Sequence, residues 1–350
     1  MSSRSAAEGR VPVLIASWLD RRHVNRIAAA GAERIEVMYE PDLLPPPRYE
    51  ADHYAPGRNL TEDQRRRWRK LLERAEVAFD FDWERRPHLP ERAPKLRWIQ
   101  ATSSGIGPSL KEVGLTGSAV RVTNAAGIHA QPLAEFVLMA ALHFAKEMPR
   151  LARWKQERHW ERFCGRELAG SRMVLIGLGR VGSRVAELSA AIGIDVIGHR
   201  RSADRPPTPG VGRLVDRAGL DGVLPDADLL VIAAPDTVET SRLFDRRRLG
   251  LLPAHAVLIN VGRGSLVDEA ALIEMLQAGR LGGAALDVFE QEPLPADSPL
   301  WTLPNVIVSP HSASTVVQEN DRLVDLFIEN LRRYLDGRPL LNEFDHARSY

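Results

Sequence analysis

Arg263, Glu292 and His311 lie downstream of one glycine-rich stretch, Gly177-Leu-Gly179-Arg180-Val181-Gly182. A dinucleotide loop followed by a cation, a carboxylate and a histidine is what hydride transfer to or from a 2-oxo acid requires. In that chemistry the arginine orients the substrate carboxylate and polarises the C2 oxygen. The histidine donates a proton to that oxygen as hydride arrives and takes it back in reverse. The acid accepts a hydrogen bond from the other ring nitrogen, fixes the tautomer and favours the imidazolium. Each residue has a plainer reading in isolation: a surface arginine in a glycine turn, a solvated charge at Glu290 or Glu292, a capping histidine after proline. Their joint occurrence after a nucleotide loop favours the chemical reading.

The loop follows the apolar run Met173–Ile176 and opens an amphipathic segment, the context such a motif needs. The first glycine permits the tight turn, the second lets backbone approach a pyrophosphate, and the third allows close helix–strand packing. Amides at the helix start, with the helix dipole, face the diphosphate. After the next strand an Asp or Glu would bind the ribose 2′-hydroxyl of NAD. The chain reads Val-Ile-Gly-His199-Arg200-Arg201-Ser202 there, and Asp195 points to the opposite end of the strand. A guanidinium binds a 2′-phosphate that an acid would repel. NADP(H) is therefore expected in preference to NAD(H), with Arg200 and Arg201 as anchors and Ser202 assisting. The alternative is a solvated basic loop and loose use of NAD.

The elements that must position these groups follow an α/β pattern, with short apolar runs alternating with amphipathic segments. Strands are expected at Val13–Ala16, Arg34–Met38, Val77–Phe81, Leu96–Ala101 and Val120–Thr123. Further strands are expected at Met173–Ile176, Asp195–Gly198, Leu229–Ala233, Val257–Asn260, Gly283–Asp287 and Val306–Val308. Residues 41–58 and 202–212 read as loops. Helices are expected over Arg22–Ala30, over Thr61–Arg74 with Thr61 as cap, and over Arg180–Ile192. The segment Pro132–Lys146, nearly apolar all round, is expected to be buried between domains. Arg150–Arg166, with Trp154 and Trp160, reads as a crossing segment. Thr315–Asp336 reads as a closing helix ended by Gly337.

Composition narrows the function. The 350 residues suffice for two domains, with 44% hydrophobic content, and 47 basic against 46 acidic residues leave a net charge of +1. That balance gives no reason to expect nucleic acid or an anionic membrane as partner. No stretch approaches the ~18–20 apolar residues of a membrane span. One cysteine, Cys164, excludes an intrachain disulfide, and no Cys/His cluster suggests a metal. No signal core follows the polar start, so a cytoplasmic location is expected.

From about Arg97 to Gly337 the chain resembles the D-isomer-specific 2-hydroxyacid dehydrogenases, and within them the glyoxylate/hydroxypyruvate reductases. The resemblance is carried by GLGRVG with VIGHRRS, by LPDADLLVIAAPDTVETSRLFD and by LINVGRGSLVDEAALIEMLQAGRLGGAALDVFEQEPLPADSPLW with NVIVSPHSAS. It implies that Arg263, Glu292 and His311 are the catalytic three. Formate dehydrogenases of the superfamily carry Gln where this chain has Glu292. It implies that the amides of Ser104 and Gly105 clasp the substrate carboxylate, although Gly107 stands where the family commonly has Asp. Pro235 and Thr240 match cofactor-lining positions. Asp287 matches one near the nicotinamide carboxamide, and Val261 and Gly262 approach the ring through backbone. His129 is read as structural.

The resemblance further implies an α/β fold of two doubly wound parallel-sheet domains, a Rossmann cofactor domain inserted into a discontinuous flavodoxin-like substrate domain. The substrate domain would be 11–123 plus 312–350, the cofactor domain 124–311, and 1–10 a flexible tail, with the active site in the cleft. A homodimer built on the cofactor domains is implied. The expected activity is NADPH-dependent reduction of a small 2-oxo acid to its D-2-hydroxy acid, with glyoxylate and hydroxypyruvate leading. A larger 2-oxo acid is the runner-up, and phosphoglycerate is disfavoured. A non-enzymatic nucleotide sensor, like the corepressors on this fold, is the alternative from another class.

Overall fold

A computed structural model describes residues 9–85, 87–200 and 207–345. Most of the expected tail, and both Arg201 and Ser202, lie outside the described residues. The chain divides into two compact units: residues up to Ile128 together with those from Thr315 onward, and His129–Ser314.

In the first unit the strands are β1 (Val11–Ile15), β2 (Ile35–Met38), β3 (Val77–Phe79), β4 (Trp98–Gln100) and β5 (Arg121–Thr123). They form a parallel sheet in the order β2-β1-β3-β4-β5, the flavodoxin-like arrangement. Strands buried on both faces read as continuous apolar runs, and Val-Pro-Val-Leu-Ile of β1 is such a run. One face is covered by the helices Arg21–Gly31 and Glu319–Leu335, which bring Ile27, Leu323 and Phe327 against β1, β3 and β4. The other packs Trp68, Leu71 and Leu72 of the helix Glu62–Arg74. That helix begins with a reciprocal cap: Gln64 N donates to Thr61 Oγ1 at 3.2 Å and Thr61 N donates to Gln64 Oε1 at 3.0 Å.

The second unit holds β6 (Arg172–Ile176), β7 (Asp195–His199), β8 (Arg213–Val215), β9 (Leu229–Ile232), β10 (Val257–Asn260), β11 (Gly283–Leu286) and β12 (Val306–Val308). Their order is β12-β11-β10-β9-β6-β7-β8, all parallel. Counted from β6, this is the 3-2-1-4-5-6 order of dinucleotide-binding sheets with a seventh strand added. Two apolar cores cover its faces. One is built on the helices Ala130–Ala145 and Arg180–Ala191, the other on Glu269–Gln277.

Three sequence expectations need correction. The strand β8 was not foreseen; it lies at the sheet edge, and only Val215 of its three residues is buried, so it carries little apolar pattern. The closing helix starts at Glu319, because the β-branched run Thr315-Val316-Val317 instead forms a turn in which Glu319 N donates to Val316 O at 2.9 Å. The helix Ala130–Ala145 is not buried all round: Val137, Ala140 and Ala141 enter the core, whereas Met139 and Leu142 are exposed. The charged segment after it is helical over Met148–Glu157.

Candidate active site

The glycine loop joins β6 to the helix Arg180–Ala191, and its three glycines are required for different reasons. Gly177 has φ 92°, and a Cβ there would lie 2.8 Å from Ala234 Cα. A Cβ on Gly182 would lie 1.8 Å from the carbonyl oxygen of Gly177. These two glycines are demanded by the protein's own packing. A Cβ on Gly179 would meet nothing within 4 Å. Gly179 caps the helix with no side-chain hydrogen bond, so the helix start is left with open space before it. A pyrophosphate fits there: bare backbone, a helix N-terminus, and a glycine that no protein atom explains. Arg180 and Val181 form the first helical positions.

At the end of β7 stands His199, where an acid would bind ribose hydroxyls. It is 9% exposed, and burial pushes its pKa down from 6.5, reinforced by Arg248 and Arg217 and opposed by Asp216. A neutral imidazole therefore replaces a carboxylate at this position near neutral pH. Half-buried Arg200 follows. Asp195 lies at the other end of the strand, 3.7 Å from Arg172. After β9, Thr240 Oγ1 donates to Pro235 O at 2.7 Å and ties the loop on itself.

The catalytic candidates follow three adjacent parallel strands. Asn260 at the end of β10 pairs with Leu286 of β11, and Leu286 with Val308 of β12. Arg263 comes three residues after its strand, Glu292 six and His311 three, so all emerge at the C-terminal edge, where α/β sheets bind ligands. His311 Nδ1 and Glu292 Oε2 are 2.7 Å apart, and both side chains are solvent-accessible. Glu292 Oε1 accepts from Phe289 N at 3.1 Å, which fixes the carboxylate. Glu290, the other acid in this stretch, accompanies Arg242 at 3.7 Å and donates its backbone N–H to Glu269. The pair is therefore made by Glu292.

The backbone of His311 is left-handed, with φ 53°. Such a conformation in a non-glycine residue persists only where the surroundings enforce it. They do so through Asp287, which is 2% exposed. Its Oδ1 accepts from Ser309 Oγ (2.5 Å), Ser312 N (2.8 Å) and Ala313 N (2.9 Å), and its carbonyl accepts from His311 N at 3.0 Å. Burial still raises the Asp287 pKa against these bonds.

Arg263 is exposed and donates Nη1 to Gly262 O at 2.7 Å. Its backbone is held by Asn260, whose Nδ2 donates to Arg263 O and whose Oδ1 accepts from Gly262 N, both at 3.0 Å. Buried Val261 and Gly262 bring the chain against Ala234; a Cβ on Gly262 would lie 2.6 Å from Ala234 O. Gly264 in turn abuts the Phe289 carbonyl carbon, where a Cβ would sit at 1.9 Å, so the arginine loop lies directly on the loop that leads to Glu292. The sequence reading missed Asn260 and Ser309. The only available signal was a polar residue just at a strand end.

Ser104 and Gly105 belong to the first unit, in the bend after β4. Gly107 opens the short helix Gly107–Glu112 that follows. His129 precedes the helix Ala130–Ala145 without a side-chain capping bond.

A doubly wound sheet with a glycine loop after its first strand carries, beyond the C-terminal ends of its strands, Arg263 and the His311–Glu292 pair, an arrangement suited to a nicotinamide-dependent oxidoreductase. Residues 138–313 match the model of the D-isomer specific 2-hydroxyacid dehydrogenase NAD-binding domain. The chain is 34% identical over 262 residues to a glyoxylate reductase of Aeropyrum pernix, covering 71% of this chain and 76% of that one. It is 32% identical over 250 residues to a D-3-phosphoglycerate dehydrogenase of Methanocaldococcus jannaschii, covering 71% and 47%. Among solved structures, an NADPH-dependent glyoxylate/hydroxypyruvate reductase of Sinorhizobium meliloti in complex with NADP and sulfate superimposes with TM-score 0.75 at 28% identity, over 97% of this chain and 100% of that one. A D-isomer specific 2-hydroxyacid dehydrogenase of Xanthobacter autotrophicus with NADPH and MES gives TM-score 0.75 at 30% identity, over 98% and 100%. The chain belongs to the D-isomer specific 2-hydroxyacid dehydrogenases and is an NAD(P)-dependent oxidoreductase.

Proposed function

We propose that this dehydrogenase reduces glyoxylate to glycolate or hydroxypyruvate to its D-2-hydroxy acid and prefers NADPH. The observation that carries the reading is the 2.7 Å pair of His311 and Glu292 at the strand edge that also bears Arg263. With Nδ1–H committed to Glu292, Nε2 is left to deliver the proton. Arg263 orients the substrate carboxylate and polarises the C2 oxygen. The amides of Ser104 and Gly105 hold the carboxylate. The nicotinamide, when bound, supplies the hydride.

The cofactor sits on the loop of Gly177, Gly179, Arg180, Val181 and Gly182, with Pro235, Thr240, Val261, Gly262 and Asp287 lining its path. The NADPH preference is supported by Arg200 and by the absence of an acid at the end of β7. Solved relatives that hold NADPH or NADP support it further. Residues 11–123 with 312–350 serve the substrate, and 124–311 the cofactor. A homodimer is supported by the exposed Met139, Leu142, Met148, Leu151 and Trp160, an apolar group on the second unit. A cytoplasmic location is supported by the single cysteine, and no helix among the described residues is long and apolar enough to cross a membrane.

The test is a panel of 2-oxo acids with each nicotinamide, read by loss of the reduced cofactor's absorbance. Turnover of glyoxylate or hydroxypyruvate with a clear NADPH preference is expected. His311→Ala should lower kcat by about 10²- to 10⁴-fold while NADPH still binds. Equal kcat/KM for NADH and NADPH removes the cofactor preference. Absence of turnover despite tight nucleotide binding removes the substrate assignment.

A further inference from the structure

Asn260 ends β10 and is fixed from both sides, pairing with Ile232 of β9 and Leu286 of β11. Its side chain is buried and turns forward along its own chain. Oδ1 accepts from Gly262 N and Nδ2 donates to Arg263 O, both at 3.0 Å. The amide thus does beyond the strand end what a ladder partner does within the sheet. Both of its polar atoms are committed to the two residues that set the arginine. Aspartate could make the first bond but not the second, and an apolar side chain could make neither. The position therefore asks for a donor and an acceptor on one short side chain.

Gly262 and Arg263 are then held in a closed circuit. Arg263 Nη1 donates to Gly262 O at 2.7 Å, so the oxygen that docks the guanidinium belongs to the residue whose N–H Asn260 holds. Before the turn, Val261 N donates to Ile232 O at 3.0 Å, and Gly262 is pressed against Ala234. After it, Arg263 O also accepts from Leu266 N at 3.3 Å, and Gly264 abuts Phe289. The backbone of Arg263 is pinned on every side while its side chain is exposed. The bond to Gly262 O uses one donor of the guanidinium fork and leaves the others for an anion.

We propose that Asn260 is a positioning residue for the reaction. It acts through Arg263, by setting the pivot and the rotation of the guanidinium that holds the 2-oxo acid. A fork that grips a carboxylate in bidentate fashion tolerates little error, and a misplacement of about 1 Å can cost on the order of 10²-fold in rate. Without the amide, Arg263 O keeps Leu266 N, but Gly262 N loses its acceptor and the carbonyl that docks the guanidinium is free to turn. This role rests on the reading of Arg263 as the anchor of the substrate carboxylate. It adds a residue that serves the chemistry without touching the substrate.

The experiment is a double-mutant cycle on kcat/KM, with the 2-oxo acid and nicotinamide that the wild type uses best. It compares Asn260→Ala, Arg263→Gln and the combination, with a melting curve for each. Asn260→Ala should lower kcat/KM about tenfold or more when Arg263 is present. It should cost less than about twofold once Arg263 is replaced by Gln. Asn260→Asp keeps the size and the acceptor and gives up the donor. It should be impaired as well, and it takes the place of Asn260→Ala in the cycle where that variant does not fold. Equal losses in both backgrounds mean that Asn260 serves the fold alone, and they overturn the role while the reductase reading stands. Full activity of Asn260→Ala does the same. No turnover of any 2-oxo acid by the wild type removes the reductase reading and this role together.

Discussion

The two sheets place their polar groups at the same edge, beyond the C-terminal ends of parallel strands, yet they assemble them differently. In the second unit each group sits within a few residues of its own strand end, and its support is local. Asn260 holds Arg263, Asp287 holds the His311 segment, and Gly182 makes room for the Gly177 carbonyl. In the first unit the Ser17–His53–Asn320 chain joins residues 36 and 267 positions apart. A site built from short loops tolerates substitution of one loop without loss of the fold. A cluster built from distant segments ties its groups to the stability of the whole unit.

The largest expected effect in the local site is on Arg263→Gln. It should lower kcat/KM by about 10²-fold or more with the melting temperature unchanged, since the side chain is exposed and, among the described residues, bonds only a neighbouring carbonyl. A large fall in melting temperature would show that this region is not local after all. The glycine loop sharpens the point within one motif. Gly182→Ala should destabilise the fold by about 1–3 kcal/mol, because its Cβ would strike the Gly177 carbonyl. Gly179→Ala should leave stability nearly intact and weaken NADPH binding, measured by fluorescence titration. Equal stability losses in the two variants would remove the argument that Gly179 answers to the ligand.

In the distant cluster, Asn320→Leu should act on stability. Asn320 is 1% exposed and accepts from His53. Its loss leaves a donor unpaired, at a cost of about 1–3 kcal/mol by urea unfolding. An unfolding free energy equal to that of the wild type would contradict it. The smallest effect concerns pH. His23 is wholly buried, neither ring nitrogen has a hydrogen-bond partner, and burial lowers its pKa from 6.5 despite nearby Asp321. A depressed folded pKa contributes stability that is present above 6.5 and lost as the pH falls through the folded value. The unfolding midpoint of His23→Leu should therefore fall less steeply than that of the wild type between neutral pH and about pH 5. Parallel slopes would contradict the assignment.

The same contrast explains what could be read from the amino-acid sequence. The glycine loop, Arg263, Glu292 and His311 were legible because each follows an apolar run that marks its strand, and the order of motifs resembles a known family. The choice of Glu292 over Glu290 rested on the family resemblance, since both acids lie in one loop and no local pattern says which of them reaches the imidazole. Asn260 and Ser309 were missed because they act on backbone and side chains of their neighbours rather than through a motif. His53 stood in a proline-rich loop with no period to place it. Its partner Asn320 lies on a helix whose start was misjudged by four residues. No local pattern links them; the link is made by β1 and the closing helix packing in one unit.

The central claim is that Glu292 acts through His311, so the two behave as one group. A double-mutant cycle on kcat tests it most directly, with Glu292→Gln, His311→Ala and the combination assayed with NADPH and glyoxylate. The account expects Glu292→Gln to slow the wild-type enzyme about tenfold or more and to have almost no further effect once His311 is gone. Equal effects of Glu292→Gln in both backgrounds would show that the carboxylate works independently of the imidazole and would contradict it.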